Sequence, residues 1–186
     1  SLASGTLGIV GLGGIGSALA RMAGGFGMKV RYWSRRRRTR KEESALGVRY
    51  LSLGRLLTES DFVSLHVALN EETRHLIGER ELARMKEGAI LINTARGAVV
   101  DEQALVRALR SGHLGGAGLD VYEREPIQKS PLFGMKNVVL LPHVGTSTGK
   151  GIEDMADRVV ANVRACLSGK RPPDLLNPAA WRARRR

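Results

Sequence analysis

The chain has 186 residues, of which 42% are hydrophobic, and a formal net charge of +12. This length predicts one domain with a substantial core, and no segment approaches the roughly 20 apolar residues that a membrane span needs. With one cysteine an intramolecular disulfide is excluded, and a start without signal-like features favours a cytoplasmic setting.

Much of the positive charge lies in two runs, at residues 35–41 and 182–186. The second run follows several prolines and lacks apolar periodicity, so we expect a solvated, mobile tail, with a nucleic-acid or targeting patch as the alternative. Only 4% of the residues are aromatic, which leaves few stacking platforms for nucleic acid. The charge therefore does not by itself predict a nucleic-acid-binding protein.

A glycine-rich sequence, Gly-Leu-Gly-Gly-Ile-Gly at 11–16, separates a predicted strand at 7–10 from a predicted helix at 17–24. Dinucleotide-binding folds require this order of strand, glycine turn and helix. The first glycine permits the turn, the second lets the backbone approach a pyrophosphate, and the third lets the helix pack closely. A turn without a ligand is the alternative. The predicted cofactor-binding residues here are Gly11, Gly13, Gly14, Ile15 and Gly16.

Strand and helix signals alternate along the rest of the chain. Further strands are predicted at 28–33, 48–51, 61–68, 89–95, 117–122 and 138–141, and helices at 52–60, 79–86, 101–112 and 148–167. We expect Ile15 and Met22 on the buried stripe of the first helix, and the apolar face of the last helix to point inward. The alternation predicts an α/β fold of the Rossmann type, a doubly wound and mostly parallel sheet with helices on both faces.

The residues after the second predicted strand bear on the choice of dinucleotide. NAD-binding folds carry an acidic residue about 20 positions beyond the glycines, where this chain has Ser34, Arg35 and Arg36. A guanidinium binds phosphate in a bidentate manner, and without a carboxylate nothing repels a 2′-phosphate. We therefore expect NADP(H) to be favoured over NAD(H). The alternative is that residues 36–40 form an exposed charged loop.

Three further polar segments follow predicted strands: Asn-Thr-Ala-Arg-Gly at 93–97, Leu-Asp-Val-Tyr-Glu-Arg-Glu-Pro at 119–126, and Leu-Pro-His-Val-Gly-Thr at 141–146. Together with the glycine motif they resemble the D-isomer-specific 2-hydroxyacid dehydrogenases, most closely the glyoxylate and hydroxypyruvate reductase branch, over about residues 7–177. The resemblance implies an oxidoreductase that reduces a small 2-oxo acid to a D-2-hydroxy acid with hydride from NAD(P)H. It departs from the family pattern at Ala68 and Asn70, where a proline and a threonine are frequent.

Matched position by position, the resemblance makes Arg96 the substrate-binding arginine, Glu125 the partner of the histidine, and His143 the proton donor. These roles suit the chemistry, because a guanidinium binds a carboxylate and a developing alkoxide needs a proton. Each residue taken alone could instead be structural, and Glu123 is a competing carboxylate that does not precede the proline. No metal site is expected, and His66, His75 and His113 are expected to be structural or exposed. The other implied cofactor contacts are Thr94, Ala95, Arg96, Asp120, His143, Val144 and Gly145.

In the family a substrate domain precedes the glycine motif, whereas here only Ser1 to Gly5 and Thr6 stand before the predicted strand at 7–10. We expect residues 1–171 to form the NAD(P)-binding domain and residues 172–186 to be a tail that returns to a substrate domain absent from this chain. A small 2-oxo or 2-hydroxy acid is the expected partner, and a homodimer is expected for a full-length form. The alternative function is a catalytically inactive dinucleotide-binding or interaction module made from a truncated dehydrogenase.

Overall fold

The computed structural model describes residues 2–183, which fall into two compact units with their boundary between His143 and Val144. The first unit is built on a seven-stranded sheet in the order β3-β2-β1-β4-β5-β6-β7, and all neighbouring strands are parallel. The strands are β1 (Thr6–Val10), β2 (Lys29–Trp33), β3 (Val48–Tyr50), β4 (Phe62–Leu65), β5 (Ile90–Asn93), β6 (Gly116–Leu119) and β7 (Val138–Leu140).

Five helices connect these strands, with short 3-10 turns at Leu2–Ser4, Gly97–Val99 and Pro131–Gly134. The chain winds outward from β1 to β3 and then returns to pair β4 with the other edge of β1. The predicted doubly wound Rossmann fold is therefore confirmed, and its ligand crevice lies where the strand order reverses, beyond the ends of β1 and β4. The helices are α1 (Gly14–Gly25), α2 (Arg40–Leu46), α3 (Leu53–Glu59), α4 (Glu79–Arg84) and α5 (Glu102–Arg110).

The central strands of the sheet are buried on both faces, as expected when crossover helices cover a parallel sheet, whereas Val139 on the edge strand β7 is exposed. Successive residues of a strand point to opposite faces, and Ile9 packs in a cluster with Tyr32 while Val10 packs in another with Leu65 and Leu91. The larger cluster extends from β4 to β6 and the helices beside them. The core therefore fixes the carboxyl ends of the strands, where the site residues follow.

Helix α1 packs on the sheet through small side chains. Its buried residues are Gly16, Ser17, Ala20 and Ala23, whereas Ile15 is 72% exposed and Met22 59% exposed. The prediction that these two apolar residues lie on the buried stripe was wrong. The reason is close packing, because even a Cβ at residue 16 would overlap the carbonyl oxygen of Gly11.

Helix α2 lies in the arginine-rich segment, which the sequence did not predict to be helical. Thr39 caps it, accepting a hydrogen bond from the backbone N–H of Glu42 at 3.3 Å, and the Glu42 side chain completes a capping box. The helix ends at Gly47, whose φ of 65° is left-handed. The alternative of an exposed charged loop holds for residues 36–39, which are exposed and lie outside any helix or strand, and it is corrected only at Arg40, where α2 begins.

The second unit contains α6 (Gly149–Leu167) and α7 (Pro178–Ala183). Thr148 caps α6, and Arg158 and Asn162 on that helix bind Asp174 at 2.8 and 2.7 Å. The prediction of an inward apolar face was wrong, since its large apolar residues are exposed and no element in the described part of this unit covers them. The predicted mobile tail falls largely on residues 184–186, which lie outside the described residues. Over residues 2–183, no helix is both long enough and apolar enough to traverse a bilayer.

Candidate active site

The glycine turn leaves β1 at the strand-order reversal. Gly11 has a φ of 101°, its N–H donates to the carbonyl oxygen of Trp33 at 2.8 Å, and a Cβ there would lie 2.7 Å from the carbonyl oxygen of His66. At Gly13 and Gly14, by contrast, a Cβ would meet no described atom within 4 Å. The turn is therefore crowded on its inner side and open on its outer side. That open side, at the N-terminus of the 12-residue α1, fits an anionic pyrophosphate.

Two adjoining cavities extend along this edge of the sheet. One has a volume of about 440 Å³ and the other about 550 Å³, and Val67 and Ala68 line both. The predicted residues Ser34 and Arg35 line the first, and Ile15, Thr94, Ala95 and Arg96 line the second. The two adjoining cavities together are called the crevice below. Such a crevice suits a ligand with two ends, as a dinucleotide has.

The loop after β4, where the sequence departs from the family pattern, forms a wall of this crevice. Its backbone is held by Thr73, whose hydroxyl donates to the carbonyl oxygen of Ala68 at 2.6 Å and whose N–H donates to Asn70 Oδ1 at 3.0 Å. Asn70 is thus part of a local hydrogen-bonded turn. Ala68 lines both cavities.

The loop after β2 presents positive charge at the mouth of the crevice. Arg35 forms an exposed ion pair with Glu72 at 2.7 Å, Ser34 Oγ donates to the carbonyl oxygen of Arg36 at 2.6 Å, and Arg36 is exposed. Arg38 Nη2 donates to the carbonyl oxygen of Leu12 at 2.8 Å. The loop is therefore attached to the glycine turn that it flanks.

Three carboxylates lie near this loop: Glu72 and Glu42 pair with Arg35 and Arg38 at the surface, and a third is buried and already bound. Glu43 accepts two hydrogen bonds from Arg37, at 2.8 and 2.9 Å, and one from Tyr32 Oη at 2.7 Å. The Arg37 hydrogen bonds lower the pKa of Glu43 to about 2 against the opposing effect of burial. Burial and the bond to Glu43 raise the pKa of Tyr32 to about 12. The exposed part of the loop therefore consists of a hydroxyl and guanidinium groups.

A tight turn after β5 presents Arg96. Asn93, the last residue of the strand, donates from Nδ2 to the carbonyl oxygen of Arg96 and accepts from the N–H of Ala95, both at 3.0 Å. Arg96 is exposed, and its guanidinium donates to the carbonyl oxygen of Ala95 at 2.6 Å. At Gly97 a Cβ would overlap the carbonyl carbon of Tyr122. The turn thus lies directly against the segment that follows β6.

That segment brings Glu125 to His143. Nδ1 of His143 lies 2.7 Å from Glu125 Oε2, and since a carboxylate can only accept, Nδ1 carries the proton and Nε2 is directed elsewhere. Glu125 Oε1 accepts from the N–H of Tyr122 at 2.9 Å. Burial raises the pKa of Glu125, but the hydrogen bonds from His143 and Tyr122 outweigh it, and the net pKa lies below its ordinary value.

His143 itself is half-exposed, and its φ of 56° is uncommon for a residue other than glycine. Its ring and Glu125 line a cavity of about 400 Å³ together with Tyr122 and Pro142. Tyr122 Oη donates to the carbonyl oxygen of Leu141 at 2.8 Å, which ties the segment carrying Glu125 to the strand end before His143. The pair therefore opens into a space of small-molecule size.

The competing carboxylate has a different partner. Glu123 lies 2.8 Å from Nε2 of His75, and its carboxylate also accepts from the N–H of Glu102 at 3.1 Å. His66 interacts with Ser64 at 2.9 Å, and burial lowers its pKa, while His113 Nε2 lies 3.1 Å from the carbonyl oxygen of Leu82. These three histidines are thus part of local contacts.

The remaining predicted contacts divide between the two units. Asp120 is buried at the end of β6, and its N–H donates to the carbonyl oxygen of Asn93 at 3.0 Å. Val144 and Gly145 belong to the second unit. Within residues 2–183, no three histidine, cysteine or acidic side chains are grouped so as to hold a metal ion.

Four contacts at the site were not predicted. They are the amide of Asn93, the close approach at Gly97, the hydroxyl of Tyr122 and the guanidinium of Arg38. A glycine directly after Arg96 and an asparagine ending an apolar strand were available as signals, since both residue types mark special backbone positions. The roles of Tyr122 and Arg38 depend on tertiary contacts that no local pattern reveals.

The strand order and the glycine turn define a dinucleotide-binding protein of the doubly wound class. Residues 1–145 match the model of the D-isomer specific 2-hydroxyacid dehydrogenase NAD binding domain, and the chain belongs to this family. A glyoxylate reductase of Thermococcus litoralis is 55% identical over 172 residues, which are 92% of this chain and 52% of the relative. One of Korarchaeum cryptofilum is 52% identical over 180 residues, 96% of this chain and 54% of the relative.

Solved structures show the same likeness. A glyoxylate reductase from Paecilomyes thermophila has a TM-score of 0.83 at 48% identity, covering 88% of this chain and 49% of that one. A D-lactate dehydrogenase from Aquifex aeolicus, complexed with NAD and lactic acid, has a TM-score of 0.85 at 39% identity, covering 91% and 55%. The chain therefore spans about half the length of the proteins that it matches.

Proposed function

We propose that this chain is the cofactor-binding half of an NADPH-preferring reductase that converts a small 2-oxo acid, such as glyoxylate or hydroxypyruvate, to a D-2-hydroxy acid. The observation that carries the proposal is the 2.7 Å pair of His143 and Glu125, set at the same sheet edge as the Arg96 turn and the glycine turn. The names of the relatives support the same reaction class.

In the proposed mechanism, Arg96 binds the carboxylate and carbonyl oxygen of the 2-oxo acid, because a planar guanidinium offers paired donors. Bound NADPH supplies the hydride for the carbonyl carbon. His143 donates the proton from Nε2 to the carbonyl oxygen as that oxygen becomes negative, and Glu125 holds the ring through Nδ1 and favours its protonated form. In the reverse direction His143 accepts the proton of the hydroxy acid.

The proposed division of the whole protein follows from the same reasoning. Residues 1–171 would form the NAD(P)-binding domain, and residues 172–186 would return to a substrate domain supplied by sequence outside this chain. Closure of that domain over the edge of the sheet would exclude water from Arg96 and His143. A homodimer is proposed for the whole protein.

The reaction is tested by following NADPH absorbance with glyoxylate and with hydroxypyruvate, using this chain and the whole protein. We expect turnover by the whole protein, and a fall of about 100-fold or more in kcat for His143→Ala with little change in NADPH affinity. His113→Ala is the matched control and should retain activity. NADPH binding without turnover of any 2-oxo acid by the whole protein would contradict the proposal.

The cofactor preference is tested separately by titrating this chain with NADPH and NADH. Ser34, Arg35 and Arg36 support the preference, because they replace the carboxylate that would bind a ribose hydroxyl. We expect NADPH to bind about tenfold or more tightly than NADH, since charge-assisted bonds to a phosphate contribute that much. Arg36→Ala should weaken NADPH alone, and Arg55→Ala, an exposed arginine on α3, is the control. Equal affinities of this chain for NADPH and NADH would contradict the proposed cofactor preference.

A further inference from the structure

We infer that Asn93 is a positioning residue for Arg96, fixing the turn from which the guanidinium reaches the substrate; this inference rests on the proposed function. Asn93 is 1% exposed and ends β5, so its side chain lies inside the turn that it precedes. Both polar groups of the amide form hydrogen bonds within that turn. Nδ2 donates to the carbonyl oxygen of Arg96, and Oδ1 accepts from the N–H of Ala95.

The chemistry of an amide suits this arrangement in particular. Asparagine places one donor and one acceptor side by side, whereas a carboxylate of the same shape only accepts and an aliphatic side chain does neither. Both hydrogen bonds are 3.0 Å long, which is normal for N–H donors. The backbone of Arg96 is therefore held from inside the turn by a group that few side chains can replace.

The outer side of the same turn is fixed by Gly97. A Cβ at this residue would overlap the carbonyl carbon of Tyr122, so the turn lies in main-chain contact with the Tyr122–Glu123 peptide. The N–H of Tyr122 in turn donates to Glu125, the partner of His143. The amide of Asn93 and the contact at Gly97 together fix the backbone position of Arg96 relative to the Glu125–His143 pair.

This placement predicts a specific kinetic defect. The Arg96 side chain is long and exposed, so its alignment with a carboxylate depends on the backbone from which it starts. Loss of the Asn93 amide should therefore weaken the binding and reaction of the 2-oxo acid more than the binding of NADPH. We expect KM for the 2-oxo acid to rise about tenfold or more in Asn93→Ala, with kcat reduced and the Kd of NADPH changed by less than about twofold.

Two variants separate the donor from the acceptor. Asn93→Ala removes both hydrogen bonds, whereas Asn93→Asp keeps the acceptor for Ala95 and loses the donor to Arg96. Hydrogen exchange on this chain should show the Ala95 amide exchanging about tenfold or more faster in Asn93→Ala and remaining protected in Asn93→Asp. The activity of Asn93→Asp relative to the unsubstituted protein should recover as pH falls, because a protonated carboxyl can donate to the Arg96 carbonyl.

The matched control is Ser60→Ala. Ser60 is fully buried and precedes the amino end of β4, away from the proposed site. Its hydroxyl donates to the carbonyl oxygen of Leu56 at 2.6 Å, so this substitution also removes a buried hydrogen bond. It should leave KM unchanged. The inference is overturned if Asn93→Ala raises KM no more than Ser60→Ala does, or if the Ala95 amide keeps its protection. If the unsubstituted whole protein reduces no 2-oxo acid, the proposed function fails, and the exchange result alone then decides whether Asn93 fixes the turn.

Discussion

The guanidinium of Arg38 donates to the carbonyl oxygen of Leu12 at 2.8 Å, joining the loop after β2 to the glycine turn. Arg38 is held in turn by Glu42, at 3.2 Å, and its own N–H donates to Tyr32 Oη at 2.9 Å. The position of the glycine turn therefore depends on a residue 26 positions further along the chain. Arg38 therefore supports the glycine turn, which is a different role from the phosphate binding proposed for Ser34, Arg35 and Arg36.

Arg38→Ala should weaken NADPH and NADH by similar factors. The contact with Leu12 supports the turn that would face the pyrophosphate, which both cofactors share, and a hydrogen bond of this kind contributes about fivefold to tenfold. Fluorescence titration of this chain with each cofactor measures the effect, with Arg55→Ala as the control. A loss confined to NADPH would show that Arg38 contacts the 2′-phosphate instead.

His143→Ala should raise the pKa of Glu125. Burial raises this pKa, and the hydrogen bonds from His143 and Tyr122 lower it below the ordinary value, so removing His143 takes away a lowering contribution while burial remains. A carboxyl titration followed by carbon NMR on this chain measures the change without any turnover. His75→Ala, which removes the partner of Glu123, should leave Glu125 unaffected. A fall in the pKa of Glu125 on removing His143 would contradict the pairing.

Glu43→Gln should destabilise the folded chain by about 2 kcal/mol near neutral pH, because charge-assisted hydrogen bonds contribute about that much. The pKa of Glu43 is lowered to about 2 in the folded state, so its stabilisation is present above the ordinary glutamate range. That stabilisation is lost as pH falls towards about 2. The difference between the two proteins in urea unfolding should therefore shrink on acidification, and Glu59→Gln, in an exposed pair with Arg55, is the control. A difference that grows with acidification would refute this account.

Tyr122→Phe should loosen the segment that carries His143. The lost hydroxyl donates to the carbonyl oxygen of Leu141, and a buried hydrogen bond of this type contributes about 1 kcal/mol to the free energy of unfolding. We expect that loss in urea denaturation, together with a shift of the His143 ring signals in NMR. Tyr50→Phe makes the same chemical change on β3 and should leave the His143 signals in place. Unchanged signals in Tyr122→Phe would show that the hydroxyl does not determine the geometry of the pair.

Periodicity predicted the sheet well because each strand of a covered parallel sheet is a short apolar run. It placed some strand ends too late: the strand predicted at 61–68 ends at Leu65 in the structure. The reason is that apolar residues continue into the loop that lines the crevice. It missed α2, whose pattern of charges gives no apolar stripe and whose start depends on the Thr39 cap. It misjudged Ile15, since apolar character alone cannot distinguish a packed residue from one that lines an open cavity.

At the site, sequence matching identified which side chains lie at the carboxyl ends of strands, because in a parallel sheet those ends share one edge. The choice of Glu125 over Glu123 rested on the position of Pro126, and the structure pairs Glu125 with His143. The supporting contacts of Asn93 and Tyr122 could not be deduced, because they depend on how separate turns approach one another. Local sequence gives the chemistry of a residue, and tertiary packing gives its orientation.

The strand order also determines how much of the sheet each part of the site depends on. Residues up to Leu65 complete β3-β2-β1-β4 and carry the glycine turn, whereas the hydrogen bond of Glu125 and His143 needs β5, β6 and β7 added in turn to the edge of β4. Parallel pairing across crossover connections is a slow, non-local process. The 2.7 Å contact of Glu125 and His143 therefore depends on non-local pairing from β4 to β7, whereas the glycine turn depends only on the four strands β3, β2, β1 and β4.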